Sequence, residues 1–339
     1  MRSVKAAEHI LVKEQTSKSY LGADGDVRFV ELLAPIVFGE IGALGDLTGV
    51  QTPGGTGALR LAAELIARAR PEACVWVGTP TWPNHGPIVR EAGLRVRGHP
   101  YYDVLAGKID FSRMMAALSE AEPGDILLLH GCCHNPTGAD FSADQWRTLT
   151  DFIGDRGILP LIDLAYQGLG EGLGADAAAT RAMIATLPDV IVAYSCDKNF
   201  GLYRERVGAL WVKASDSTSL RAIRDNVLVI ARSLWSMPPD HGAAVVRLIL
   251  ENATLAAIWR SELAEMRVRI VKLRTLLAAA EPRLGMIAGQ YGMFATLPLT
   301  QGAIMKLRER NAIYMADSGR INIAGLREDT VRRFVAAVI

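Results

Sequence analysis

The sequence is poor in cysteine, has no long apolar run and carries almost no excess of charge of either sign. Its 339 residues include four cysteines, Cys74, Cys132, Cys133 and Cys196. They sit in or beside apolar stretches and form no C-x-x-C pair, and the neighbours Cys132 and Cys133 are poor disulfide partners for each other. Reduced thiols in a cytoplasmic protein are therefore expected. The six histidines show no ligand spacing with these cysteines, so no metal is expected. No apolar run reaches the ~18 residues of a membrane span. The start, Met1-Arg2-Ser3-Val4-Lys5, is not followed by the long apolar stretch of a signal peptide. The net charge is +1 and no basic stripe is interleaved with aromatics, so neither nucleic acid nor a membrane surface is an expected partner. No G-x-G-x-x-G follows the first strand, which removes the usual mark of a nicotinamide enzyme.

What the chain has in quantity is apolar residues, half of the total, enough for one large domain and a smaller one. Helices are expected over residues 4–15 and 26–38, with an exposed tyrosine, Tyr20, in the loop between them. Apolar strands are expected over 73–77, 94–97, 126–130, 158–162, 190–194 and 207–212. Helical patterns separate most of them, over 58–70, 88–92, 111–121 and 142–154, with Ser142 as an N-cap. Short apolar strands alternating with helices predict an α/β fold with a mostly parallel sheet. In such sheets ligands bind beyond the carboxyl ends of the strands, and Asn135, Asp163 and Lys198 all fall there. Beyond residue 219 long helices are expected over 221–234, 240–252 and 256–280, the last with a Trp259/Leu263/Met266/Ile270 stripe read as core packing. Strands over 286–297, 313–315 and 321–323, closed by a helix over 327–338, read as a small domain. The resulting division is a large domain over 20–265 and a small domain made of 1–19 and 266–339.

Two stretches carry chemistry. The first is Thr52-Pro53-Gly54-Gly55-Thr56-Gly57, leading straight into a helix, where backbone N–H groups are free to meet an anion; Gly-rich turns before helices are also common without a ligand. The second is Ser195-Cys196-Asp197-Lys198, followed by Arg206. A lysine just after an apolar strand can form an imine with an aldehyde, while Ser195 and Arg206 hold an anionic group of the same molecule. An aldehyde that carries a phosphate is pyridoxal phosphate. The plain alternative is a surface lysine beside a structural arginine.

Taken together, Thr52-Pro53-Gly54-Gly55-Thr56-Gly57, Trp82-Pro83-Asn84-His85, His134-Asn135-Pro136-Thr137-Gly138, Asp163-x-x-Tyr166-Gln167-Gly168, Lys198-Asn199-Phe200-Gly201-Leu202-Tyr203 and Ser318-Gly319-Arg320 resemble the aspartate/aromatic aminotransferases. These are class I, fold-type I pyridoxal-phosphate enzymes, and the motifs run in the family's order through nearly the whole chain. The resemblance implies a mostly parallel seven-stranded sheet in the large domain and a smaller α+β domain. It makes Lys198 the Schiff-base lysine and proton carrier, and Asp163 the partner that keeps the pyridine nitrogen protonated. Tyr166 and Asn135 would bond the phenolic oxygen, and Trp82 would stack on the ring. Gly54, Gly55, Thr56, Ser195 and Arg206 would hold the phosphate, with Tyr20 reaching it from the partner subunit of a homodimer.

For the substrate, the resemblance makes Arg320 the clamp on the α-carboxylate and Arg232, also from the partner, the site of a distal carboxylate. Trp82 and Asn135 line the same space, and His85 stands behind Asp163. The implied reaction is a ping-pong transamination between an aromatic or acidic L-amino acid (tyrosine, phenylalanine, aspartate) and 2-oxoglutarate. Arg204 and the Trp235 neighbourhood look more like the aromatic-accepting branch. A strict aspartate:2-oxoglutarate transaminase and a cofactor-free, non-catalytic homologue are the alternatives; a fold-type I lyase would not need Arg232. The chain departs from the family's pattern in lacking a stretch before its first helix, so part of the small domain is expected to be missing. Met237 stands where a more polar residue is common near Arg232. Asp197 stands where serine is frequent, and since a carboxylate would repel a phosphate, its side chain is expected to point away.

Overall fold

The structure, a computed structural model, describes residues 1–40 and 45–338. Two helices open the chain, α1 (Arg2–Glu14) and α2 (Val27–Phe38). Asp26 fixes the start of α2 by accepting from the Phe29 N–H at 2.9 Å, which satisfies one of the donors that a helix start leaves open. The alternating region follows as β1 (Leu47–Pro53), α3 (Gly54–Ala69), β2 (Cys74–Thr79), α4 (His85–Glu91), β3 (Arg95–Pro100), β4 (Tyr102–Asp103), β5 (Lys108–Ile109) and α5 (Phe111–Leu118). It continues with β6 (Ile126–His130), α6 (Ala143–Arg156), β7 (Leu159–Leu164), α7 (Leu173–Asp176), α8 (Ala178–Thr186), β8 (Val190–Ser195) and β9 (Val207–Lys213). The remainder is α9 (Ser217–Trp235), α10 (Asp240–Glu251), α11 (Ala253–Ala280), β10 (Phe294–Thr296), α12 (Gln301–Asn311), β11 (Arg320–Asn322) and α13 (Val331–Val338).

Seven strands form one sheet in the order β1-β9-β8-β7-β6-β2-β3. Neighbours run parallel except around β9, which is antiparallel to both β1 and β8. The mostly parallel seven-stranded α/β sheet is therefore as expected. Its strands are apolar on both faces because helices cover both. In β6, Ile126 and Leu128 join the core beneath α3, while Leu127 and Leu129 join the core on the opposite face. This is the period-two alternation of a strand buried on both sides. The parallel strands β6, β7 and β8 end at the same sheet edge, and the segments bearing Asn135, Asp163 and Lys198 leave from there.

Several local expectations are corrected. Residues 54–57 form the first turn of α3 and not a loop before it: Gly54, with φ +70°, makes the sharp turn out of β1 that most side chains would strain. Strand β1 went unrecognised because Leu47-Thr48-Gly49-Val50-Gln51-Thr52-Pro53 has little apolar content; it is held by its register with β9, from Leu47 opposite Lys213 to Pro53 opposite Val207. The strand expected over 286–297 shrinks to β10, since Pro282–Gly289 is 3-10 helix capped by the Glu281 side chain. Residues 313–315 are not a strand. Helix α12 was not foreseen because it buries only Ile304 and Leu307, too few for an apolar stripe.

Candidate active site

Asp163 lies inside β7 and is almost completely buried. Its Oδ2 is 3.0 Å from Nε2 of His85, at the start of α4. The His85 Nδ1 is 2.8 Å from the Thr81 hydroxyl, which is 3.1 Å from Nε2 of His130 at the end of β6. With both imidazoles neutral, His130 Nε2–H donates to Thr81, Thr81 donates to His85 Nδ1, and His85 Nε2–H donates to Asp163. Burial pulls the Asp163 carboxyl upward, but the His85 hydrogen bond and the nearby Lys198 charge oppose it, and the net shift is downward. Burial, reinforced by His85, holds His130 down to about 3, so it stays neutral. Oδ1 of Asp163 accepts from no described residue, which leaves one oxygen of a buried carboxylate available to a cationic donor.

Lys198 follows β8 in a tight turn, in which the Gly201 N–H donates to the Lys198 carbonyl at 3.1 Å. The next residue anchors it: Asn199 donates to the Tyr194 hydroxyl at 2.8 Å, and the Trp259 indole donates to the Asn199 carbonyl at 2.9 Å. Phe200 stacks on Trp259 with ring centroids 4.3 Å apart. The Trp259 stripe is core packing, as read, and it also fixes the lysine turn. The ammonium of Lys198 lies 5.4 Å from the Tyr166 ring centroid. Burial lowers the Lys198 pKa; Asp197 and Asp163 oppose this without reversing it.

The turn from β1 into α3 is built tightly against Ser195 and Arg206. A methyl group on Gly55 would come within 3.0 Å of the Ser195 Cβ, and one on Gly54 within 2.5 Å of the Arg206 guanidinium, so glycine is required for the approach. The first N–H groups of α3, at Gly55 and Thr56, have no partner within the helix. Asp197 does not point away as expected. Its carboxylate is buried, ion-paired with Arg206, and accepts from the Val207 N–H at 3.1 Å. The ion pair with the arginine holds the carboxylate inward.

Opposite the lysine, Arg320 at the start of β11 donates to Asn135 Oδ1 at 3.2 Å, and Asn135 donates to the Tyr166 hydroxyl at 3.1 Å. The guanidinium also lies 4.9 Å from the Phe294 ring centroid. A cavity of about 220 Å³ is lined by Thr56, Trp82, Asn135, Tyr166, Ser195 and Arg320, with Asp163, Asp197 and Lys198. Larger clefts open elsewhere, but among the described residues only this one draws in both Asp163 and Lys198. Trp82 meets His85 edge-on at 5.3 Å. Tyr20, 82% exposed, and Arg232, exposed on α9, do not line the cavity of this chain.

His130, Ala165 and Phe294 also line the cavity and were not named from the sequence. His130, ending an apolar strand, was the one with a readable signal; Ala165 and Phe294 carried none. One cluster of possible metal ligands occurs among the described residues, Cys132, Cys133 and Asp176. Asp176 is already engaged there, accepting from the N–H groups of Gly168, Gly170, Glu171 and Gly172.

A family model described as aminotransferase class I and II matches residues 1–338. A tyrosine aminotransferase of Rhizobium meliloti (strain 1021) is 47% identical over 330 residues, covering 96% of this chain and 85% of that protein. An aspartate aminotransferase of Escherichia coli (strain K12) is 42% identical over 348 residues, covering 100% of this chain and 88% of its own. The crystal structure of an aromatic-amino-acid aminotransferase from Burkholderia pseudomallei, covalently bound to pyridoxal phosphate, superposes with a TM-score of 0.97 at 36% identity, covering 100% of this chain and 87% of the other.

Proposed function

The chain belongs to the class I and II aminotransferases, and from that premise we propose how its own residues carry out transamination and on which substrates. The enzyme uses pyridoxal phosphate. When bound, the cofactor supplies a carbonyl for the amino group and a cationic ring that takes up the electron pair released at the substrate α-carbon. The residues fit that group: a glycine-tight cup with Arg206 and free N–H groups stands at one end. At the other is a buried carboxylate with one oxygen uncommitted.

In this reading Lys198 attaches the cofactor and then moves the proton at the substrate α-carbon. Its lowered pKa gives the neutral amine a larger share near neutral pH, which a base needs. Asp163, kept ionised by His85, holds a proton on the ring nitrogen. Asn135 and Tyr166 orient the phenolic oxygen, Trp82 walls the ring face, and Gly54, Gly55, Thr56, Ser195 and Arg206 hold the phosphate. Arg320 takes the α-carboxylate as a charge-assisted clamp. The substrates are an aromatic or acidic L-amino acid and 2-oxoglutarate, in two half-reactions on one site.

Tyr20 and Arg232 complete the site of a second copy in a homodimer. What supports this is that both are exposed and outside their own chain's cavity, on surfaces that also expose Leu21, Val229 and Leu234. Four free cysteines are consistent with a cytoplasmic setting. The observation that carries the reading is the meeting of Lys198, Asp163 and Arg320 in one cavity. Lys198→Ala should abolish both the absorbance band of lysine-linked cofactor and turnover; unchanged activity would overturn it. Comparing kcat/KM for aspartate, tyrosine and phenylalanine with 2-oxoglutarate separates a broad enzyme from a strict aspartate enzyme.

A further inference from the structure

Asp197 places a fixed negative charge inside the cup that receives a phosphate. Asp197 is 1% exposed. It is ion-paired with Arg206 and takes the Val207 N–H at 3.1 Å, while its own N–H donates to the Ser195 hydroxyl at 3.2 Å. Its Oδ2 would lie 3.0 Å from a methyl group on Gly54, so it reaches the first turn of α3. Arg206 also donates to the Tyr203 carbonyl at 3.1 Å, and it packs against Gly54 at the start of α3. This guanidinium is therefore already neutralised by the chain itself.

We propose that Asp197 is a resident competitor for Arg206 that loosens the hold on the cofactor's phosphate, so that the cofactor is readily released in its amine form. This rests on the pyridoxal-phosphate reading above. A phosphate entering the cup must share Arg206 with a carboxylate that cannot retreat to water, and like charges at such distances repel strongly where solvent is scarce. While the cofactor is bonded to Lys198 that weakness is masked, because the covalent link holds it. After the first half-reaction the cofactor is an amine with no bond to the lysine, and the cup alone must retain it. Ser195 and the α3 N–H groups remain, which gives binding that is weakened and not lost.

The test uses apoenzyme of the full chain, wild type, Asp197→Asn and Asp197→Ser, titrated calorimetrically with pyridoxamine phosphate and with pyridoxamine, which lacks the phosphate. Asn is nearly isosteric and can still accept from Val207 N–H, so it reports on charge even if Ser disturbs the turn. At least one variant should bind pyridoxamine phosphate tenfold or more tightly than wild type, with pyridoxamine binding unchanged. Enzyme converted with excess amino acid and dialysed should correspondingly lose fluorescent cofactor more slowly in that variant. Equal or weaker binding of pyridoxamine phosphate in both variants, or an equal gain for both ligands, would overturn the proposal. No binding of pyridoxamine phosphate to any of the three proteins would instead sink the cofactor reading, and this inference with it.

Discussion

Replacing His130 by glutamine should flatten the acid limb of the protein's stability curve. The imidazole is buried against His85 and His134, with ring centroids at 5.0 and 4.2 Å, and burial together with His85 depresses its pKa to about 3. In the unfolded chain the same group takes its proton near pH 6.5. Between those values the unfolded state binds a proton that the folded state refuses, so stability falls as pH drops through 6.5 and continues to fall toward 3. From pH 7 to pH 5 that single group costs about 2 kcal/mol, a sizeable part of a total stability on the order of 5–15 kcal/mol. Glutamine keeps an amide donor for the Thr81 hydroxyl but has no proton to gain. Urea midpoints of wild type and His130→Gln at pH 7 and pH 5, at one fixed protein concentration, should show the wild type losing about 2 kcal/mol more than the variant. Nitrogen chemical shifts of His130 should show no protonation across that range. Equal losses in the two proteins, or a His130 that titrates near 6.5, would refute both the neutral state and the donor direction of the Thr81–His85–Asp163 chain.

Two further outcomes test the walls of the site. Arg274, 2% exposed, donates to the carbonyls of Ile287, Tyr291, Gly292 and Phe294. Arg274→Met should lower stability by about 3 kcal/mol, two or three net hydrogen bonds. An unchanged melting temperature would show that the segment leading into β10 does not depend on this arginine. Arg320→Lys replaces a planar fork by a point charge, so kcat/KM for the amino acid should fall by about ten- to a hundredfold, one charge-assisted bond. The absorbance of bound cofactor should stay as in wild type; a loss of that band would mean that Arg320 holds the cofactor and not the substrate.

The site was legible in the sequence wherever chemistry and local backbone coincide. Lys198 and Asp163 could be placed because each sits at or near the end of an apolar strand, and apolar strands can be read from composition alone. The cup glycines could be placed because a turn into a helix needs them. Ala165 and Phe294 could not, because a small residue and an apolar one carry no signal until a wall forms around them. Strand β1 is the counterpart in the fold: its residues are weakly apolar, and only pairing with β9 makes them a strand.

The sequence by itself determined the α/β class, the mostly parallel order, and several of the side chains that line the cavity, Lys198, Asp163 and Arg320 among them, since these depend on short-range periodicity and on residue chemistry. Only the tertiary structure decided how those side chains are tuned. It extended the His85 support of Asp163 through Thr81 to His130, which lies far from both in the chain. It also turned Asp197 inward onto Arg206. The reason is physical: a buried charge takes the nearest opposite charge that the fold offers, and which charge is nearest is set by packing, on which neighbouring residues along the chain are silent.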